Sequence, residues 1–594
     1  MKEIKNQKLK IKNRNSKLFI FSFALLVLNF AFQCFAQDVD LEFSLDANQA
    51  TVPLPKIFKP NIDLSGRGFS RENTWPQQLA AKEVLDTWGQ DIGFRATYRL
   101  QYNLWEINQL ANDKEAQAKL IANYEDVIRR INQSGGIVIL DLFGTPFGMG
   151  RVLDKKSPPR DFKAFKSLVK NTVRYLSCEK KYNIWYEVWN APDLDSFFLG
   201  RKQEYLNLYR LVAEAIKELK EETKIYIPVG GPSVSWWFQN VDYNTIVTPE
   251  KSLIYELIKF CSNHHLPLNF ITWHGFSTDP GAEKSKTIYK KSPVELIRDW
   301  LGYFNFERDT LLIIDEWNFD REANLLPERA EQSYVTASFI ASRLNNMFAS
   351  GIDSQVYFCL EDFQNNKEGV VRNLGVFSFD SEHKNYKGSP KATYNVFRML
   401  SYLGREMYAK GASDEFSGVI AARKDEAIIL IVYNYIDPEI ARNYLSKNIS
   451  ALNAAERKSL LKIIKSDKLE RILKKSIDLT TLRLTNKVRD LLKETQGLND
   501  KAQKALLSPR QIKVNVSNLG AGYSYQRFVV DSSCGADCKF LPVEEKESGS
   551  AVFQEVLSLP AYSVQMIVLK KKPMEEKAIP GDAAGKPASN MTGK

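Results

Sequence analysis

Between residue 53 and about residue 404, short apolar, β-rich runs alternate with stretches whose apolar residues recur every three or four positions, a pattern that predicts a parallel α/β architecture. One helix is written in Leu120, Ile121, Tyr124, Val127, Ile128 and Ile131, another in Tyr205, Leu208, Tyr209, Val212, Ile216 and Leu219. Each is followed by an apolar run, 136–143 and 224–230, of the kind a strand buried on both faces shows. Strands are expected at 57–64, 92–100, 137–143, 183–189, 225–229, 268–274, 311–316 and 354–360. Eight strands with intervening helices over about 350 residues suit a closed (β/α)8 TIM barrel across 37–404 better than an open sheet.

Beyond a last barrel helix near 392–403 the period changes to two. Runs at 418–423, 426–435, 511–516, 528–530, 550–557 and 563–569 predict a trailing β-sandwich domain over 405–439 and 511–570. Residues 440–510 interrupt it with helical sequence whose Leu460, Leu461, Ile464, Leu469, Ile472 and Leu473 form one apolar face, which is the pattern of a helical insertion. The Pro-, Gly-, Ala-, Lys- and Glu-rich end, 571–594, reads as a disordered tail.

Charge changes the picture at two places. Seven Lys/Arg between Lys2 and Lys17 precede an uncharged, mostly apolar run at 18–32 and then Cys34, Phe35 and Ala36, so 1–36 reads as a signal peptide. The protein is therefore expected to be exported, periplasmic or secreted, with no stable membrane span once the leader is removed. The insertion at 440–510 holds 17 Lys/Arg against 7 Asp/Glu, a net +10 in a chain of net +11. Such a segment suits an anionic glycan or a membrane surface, or else is a solvated helical face. No nucleic acid is expected as a partner.

The cysteines and histidines exclude more than they suggest. In an oxidising compartment Cys534 and Cys538 are close enough in sequence to close a local loop, while Cys178, Cys261 and Cys359 sit in or beside apolar segments as small hydrophobes would. The four His, at 264, 265, 274 and 383, lack zinc-type spacing, so neither metal nor cofactor is expected.

Polar residues that end apolar strands are costly to bury without partners, and in a barrel they line the C-terminal mouth. Two strand ends stand out: Tyr186-Glu187-Val188-Trp189-Asn190-Ala191-Pro192-Asp193 and Ile313-Ile314-Asp315-Glu316-Trp317-Asn318. With Val229-Gly230-Gly231-Pro232 and Trp273-His274, they give the chain a sequence that resembles glycoside hydrolase family 39, retaining glycosidases whose pattern reads Glu-Val-Trp-Asn-Glu-Pro after the fourth strand and Glu-Trp-Asn at the seventh. The resemblance spans the barrel and the trailing β-domain, but not 440–510.

The resemblance implies Glu316 as nucleophile, Asn190 as the ligand of the sugar hydroxyl beside the reacting carbon, and His274 shaping the same subsite. Arg95 or Arg99, which share a strand face with Thr97, would hold Glu316 ionised. Trp273, Trp317 and Asn318 would line the substrate site, the tryptophans (with Trp236 and Trp237) being equally at home in core packing or stacked on sugars. The departure is Ala191, which stands where the family carries its acid/base glutamate. Retaining hydrolysis needs a second carboxyl about 5 to 5.5 Å from the first. The acid/base is therefore lost, or relocated to Asp193 or Asp195 in the same loop, or to Glu361 or Asp362 after the eighth strand; Glu187 has a structural counterpart in the family. Two functions follow: an exported retaining glycosidase acting on a polysaccharide or oligosaccharide, or an inactive glycan-binding pseudo-glycosidase in exopolysaccharide export or surface assembly.

Overall fold

The computed structural model describes residues 39–572 except 67–73, 238–240, 243–244, 247, 287–289, 307–309, 320–332, 365–370, 379–387, 410 and 536–537. The leader at 1–36, His383 and the tail from 573 lie outside the described residues. Eight parallel strands close into a barrel: β1 (Ile62–Asp63), β2 (Thr97–Asn103), β3 (Ile137–Phe143), β4 (Ile184–Val188), β5 (Val229–Val234), β6 (Phe270–His274), β7 (Leu311–Trp317) and β8 (Ser354–Tyr357). The TIM barrel with a trailing antiparallel β-domain is therefore the fold.

Strand ends shifted where backbone chemistry outweighed the apolar run. The expected second strand began at 92, but Gly93 (φ 81°) turns the chain after helix Lys82–Asp91 and pairing starts only at Thr97. The expected fifth strand began at 225, but Pro228 has no N–H for the ladder and pairing starts at Val229. At the N-terminus, strand Leu41–Asp46 pairs in parallel with Arg510–Ser517, and Thr51–Pro53 pairs with Glu406–Tyr408. Residues 41–53, expected in the barrel, thus belong to the β-domain, because Phe43 and Leu45 find their apolar partners in its core beside Val514 and Leu557. At the other end, strand Ser563–Lys571 keeps Lys571 in the sheet rather than the tail.

Alternation along the barrel strands decides what faces the axis. At one level the interior is apolar, with Ile139, Phe270, Ile313 and Val356 packed together. Two residues further along their strands come Asp141, Thr272 and Asp315; Glu187 pairs with Asp141, and Arg99, which pairs with Ile139, extends its guanidinium up to Asp141 and Asp315. The barrel interior is thus apolar at one level and polar toward the C-terminal strand ends. Cys534 and Cys538 are joined in a disulfide, while Cys261 and Cys359 are buried thiols and Cys178 a partly buried one. No described helix is long and apolar enough to cross a membrane.

The basic segment folds as helices Ile440–Asn448, Ala454–Ile464, Lys468–Leu473 and Asn486–Leu507 around a small core that includes Leu445, Leu460, Leu469, Ile472 and Leu492. It docks on the loop that follows His274 at the end of β6. Lys447 Nζ lies 2.6 Å from Asp279 Oδ2, and Asn443 Nδ2 donates to Thr278 Oγ1 at 2.9 Å. From the other side, Arg343 on helix Ser333–Ser350 donates to the carbonyls of Asp279 and Gly275 and, at 2.5 Å, to Glu283 Oε1. Both Arg343 and Glu283 are buried, and burial raises the Glu283 carboxyl above its ordinary range.

Removing one partner of a buried ion pair leaves the other uncompensated. Arg343→Ala is therefore expected to lower stability by about 3–5 kcal/mol, read as a lower urea midpoint. Arg343→Ala with Glu283→Ala is expected to cost less than the two single changes together. An Arg343→Ala midpoint equal to that of the unaltered chain would mean the loop is held by other contacts.

Candidate functional site

The polar end of the barrel is organised by one side chain. Arg99 projects inward from β2, 2% exposed, and its guanidinium donates from Nε to Glu187 at 2.7 Å, and from Nη1 to Asp63 at 3.1 Å and Glu316 at 2.6 Å. Nη2 reaches Asn190 Oδ1 at 3.0 Å and Ser233 Oγ at 3.2 Å. Asp141 and Asp315 stand 3.8 and 3.7 Å from the same group. Five carboxyls on four strands therefore converge on one cation.

Glu316 and Asp315 both reach the interior although they are consecutive, because the register of β7 slips where it pairs with β6 and with β8. Five buried carboxyls cannot all ionise around one guanidinium. Burial raises the pKa of Asp63, and raises those of Asp141 and Asp315 well above the usual carboxylate range, despite the opposing pull of Arg99. Glu316 is pushed up to about 7 by burial, with Arg99 pulling down and Asp63 and Glu187 adding to the rise. Burial also works against the charge on Arg99, but Glu187, Glu316, Asp315 and Asp141 outweigh it and hold the guanidinium firmly charged.

His274 and Asn190 complete the site. His274 Nδ1 lies 3.5 Å from Glu316 Oε2, and its Nε2 is 3.2 Å from both Ser233 Oγ and Asn190 Oδ1. Asn190 Oδ1 thus faces Arg99, Ser233 and His274 at once. Arg99 Nη2 donates to that oxygen, and Ser233 Oγ, whose one hydrogen also meets Asp315 Oδ2, lies 3.1 Å from it. The loops carrying these groups hold Trp189 (φ 71°), Ala191 (φ 44°) and Ser233 (φ 52°) in left-handed backbone, which costs non-glycine residues about 1–3 kcal/mol each. Ala191 N–H to Ser233 O at 2.9 Å, and Ser233 N–H to Thr272 Oγ1 at 2.9 Å, lace those loops together.

Several expected site residues lie elsewhere. Arg95 precedes β2 and is exposed beside Lys59 and Pro60, off the polar cluster, so Arg99 is the arginine that meets Glu316. Trp273 belongs to the core outside the barrel, since its neighbours Thr272 and His274 take the inward positions of β6. Trp317 packs against Phe339 and Tyr357 and donates to Gln355 Oε1 at 2.6 Å, and Asn318 Nδ2 bonds the carbonyls of Phe358 and Leu374. Neither tryptophan presents a face to a cleft. Asp193 accepts Ser235 N–H at 2.8 Å and Ser235 Oγ–H at 2.7 Å, and Asp195 is exposed; neither joins the Arg99 cluster. Glu361 Oε2 accepts from Ala81 N–H at 3.0 Å, and Asp362 pairs with Lys391 at 2.7 Å. Sequence reading missed Ser233, Asp63 and Asp141, although period two along β3 put Asp141 on the same face as Ile139.

A family profile described as "Glycosyl hydrolases family 39" matches residues 151–463, more than half of the chain. A β-xylosidase of Caldicellulosiruptor saccharolyticus is 24% identical over 294 residues, 48% of this chain and 55% of that one. A β-xylosidase of Geobacillus stearothermophilus is 25% identical over 300 residues, 47% and 53% of the two chains. The chain thus spans about half the length of these curated relatives. Among solved structures, the GH39 enzyme of Xanthomonas axonopodis pv. citri superposes with a TM-score of 0.58 at 15% identity, covering 89% of this chain and 97% of that one, which is a likeness of fold.

The raised pKa of Glu316 sets a sign for stability. Its folded value of about 7 exceeds the ordinary 4.5, so the folded chain holds the extra proton between those values. That contribution is fully present below about pH 4.5 and is lost as pH rises through about 7. Glu316→Gln, which cannot ionise, is expected to lose less stability between pH 5 and pH 8 than the unaltered chain in paired urea titrations. An equal loss would mean that Glu316 titrates as an ordinary carboxylate.

Proposed function

Since the chain belongs to glycosyl hydrolases family 39, we propose that it is an exported, glycan-directed protein that keeps the nucleophilic half of retaining glycosidase chemistry and lacks the acid/base half. The observation that carries this reading is the seating of Glu316 between Arg99 and His274, with Asn190 Oδ1 against the same two side chains, while Ala191 offers no proton. The Glu316 carboxylate attacks the anomeric carbon as the bond to the leaving oxygen breaks, and Asn190 donates to the neighbouring hydroxyl. Protonating that oxygen, and later activating water, would need another carboxyl.

The surroundings of the nearby carboxyls support this reading. Asp193 is engaged by Ser235, and Asp63, Asp141, Glu187 and Asp315 are at most 1% exposed beneath Arg99, with no surface to meet a leaving group. General acid/base assistance is worth about 10²–10⁴ in rate and matters most for poor leaving groups such as sugars. The protein accordingly holds glycans and turns natural linkages over slowly. Xylose is the sugar of first choice because the relatives are β-xylosidases, and the +10 insertion favours chains that carry acidic substituents.

Incubation with 2,4-dinitrophenyl β-xyloside is expected to release one equivalent of dinitrophenolate and leave a xylosyl ester on Glu316, visible by mass spectrometry. Labelling quickens as pH rises through about 7, where Glu316 ionises. Azide, which needs no base, is expected to displace the ester and release β-xylosyl azide, and Glu316→Gln to do neither. Ala191→Glu is expected to raise turnover on natural linkages by up to about 10²–10⁴. No label on Glu316 across a panel of activated glycosides would sink the nucleophile and leave a binding protein. Fast turnover of unactivated xylobiose by the unaltered chain would instead reveal a working acid/base.

A further inference from the structure

The carboxylates at 440–510 are spent within the segment, while many of its cations are not. Glu456 accepts Asn453 N–H at 2.9 Å and Thr485 Oγ1–H at 2.9 Å, Glu494 accepts Tyr444 Oη–H at 2.8 Å, and Asp478 accepts Thr480 N–H at 2.8 Å. Asp467, Glu470 and Asp500 face Arg471, Arg442 and Lys475 at 4.0, 3.4 and 2.7 Å. The lysines are not matched in return. The side chains of Lys458, Lys462, Lys465, Lys468 and Lys474 are exposed and make no hydrogen bond or ion pair with any described residue.

Three of them share one face. On helix Ala454–Ile464, Lys462 follows Lys458 by four residues, and Lys465 at the C-cap follows by three more, so the three form a stripe. Leu460 and Ile463, on the opposite side of that helix, are buried in the small core of the insertion. Like charges at such spacing repel and destabilise a helix, and no carboxylate among the described residues relieves this one. The first and last helices hold the segment to the rest of the chain, through Asn443 and Lys447 on Thr278 and Asp279 and through Ala502 beside Phe416 and Ile436. The stripe lies on neither.

Chemistry selects among anionic partners. A helix that lies on a membrane sinks an apolar face into it, and the one large hydrophobic exposed among the described residues of 440–510 is Leu507, at the far end of the last helix. Single-stranded nucleic acid is gripped by stacking as well as charge, but the only aromatic of the segment is Tyr444, which is bonded to Glu494. An exposed lysine–carboxylate contact is worth little by itself, so a free sugar acid gains little here. A polymer that repeats a carboxylate along its length engages several lysines at once.

We propose that the face of helix Ala454–Ile464 bearing Lys458, Lys462 and Lys465 is a docking surface for an acidic polysaccharide of the polyuronate class. The choice of a polysaccharide rests on the glycan-directed reading of the chain, but the surface makes no use of Glu316. It holds the protein on its polymer by charge, whatever the chemistry at the barrel mouth.

The test is binding of the full chain from Gln37 onward to polygalacturonate and to alginate, by affinity electrophoresis and calorimetry. Binding is expected at about 0.1 M NaCl and is lost toward about 1 M, as the screening length falls from about 10 to about 3 Å; monomeric galacturonate is expected to compete poorly. The triple change Lys458→Glu, Lys462→Glu and Lys465→Glu is expected to weaken binding about tenfold or more. The same three changed to Gln weaken it less but in the same direction, and they keep the test open if the reversal disturbs the helix, which circular dichroism reads. Reversing the exposed barrel lysines Lys82, Lys163 and Lys217 alters the net charge equally and is expected to leave affinity within about twofold. Equal affinity of the Lys458, Lys462 and Lys465 variants and the unaltered chain overturns the surface, and so does an equal loss on reversing the barrel lysines. Tighter binding to phosphatidylglycerol vesicles or to single-stranded DNA, lost in the triple variant, overturns the polysaccharide as partner. Labelling of Glu316 by the aryl xyloside is scored alongside. A chain that labels yet ignores both polyuronates overturns the docking surface alone, and one that binds them without labelling overturns the nucleophile alone.

Discussion

The polar end of this barrel depends on the charge of Arg99. An unpaired guanidinium taken out of water would be prohibitively costly, and five carboxyls without a cation would be no better. Each makes the other tolerable. Because the carboxyls come from β1, β3, β4 and β7, the guanidinium also registers those strands against one another at the level where the mouth begins. With acid in excess of base, burial raises Asp141 and Asp315 well above the usual carboxylate range and Glu316 to about 7.

That arrangement seats Glu316 without any help from residue 191. Glu316 is oriented by Arg99 and His274, and Arg99 is in turn occupied by Glu187, Asn190 and Ser233. None of those contacts involves the side chain at 191. The site therefore stands without a carboxyl at 191, with Ala191 buried and its backbone N–H bonded to Ser233 O. The positive φ at Ala191 is maintained by that lacing rather than by any preference of alanine.

The helical insertion shows the same economy in a different place. It has its own apolar core, yet its first helix ends against Thr278 and Asp279 in the loop that begins one residue after His274. Arg343 grips that loop from the barrel side, and Gly275 N–H bonds Glu316 O at 2.8 Å. A segment that the family profile covers only as far as residue 463 is thus joined through one loop to the strand that carries Glu316.

Hydrophobic period alone determined the fold class, the eight strands and the helical insertion, because burial of whole faces is a property of consecutive residues. The motifs at 186–193, 273–274 and 313–318 brought Asn190, His274 and Glu316 into view. Which residue of a strand faces the axis depends on where pairing begins, and that was set by Gly93 and Pro228 rather than by the apolar run. One shift of register separates Arg95, exposed beyond the strand, from Arg99 at the centre, and one inversion of face sends Trp273 into the outer core. The fate of Asp193 was undecidable from its own loop, since its partner Ser235 lies 42 residues away. Arg99 meets Glu316 across 217 residues. Contacts of that range, and the pKa values they impose, exist only once the barrel closes, because the charge and solvent that a carboxyl meets belong to its neighbours in space.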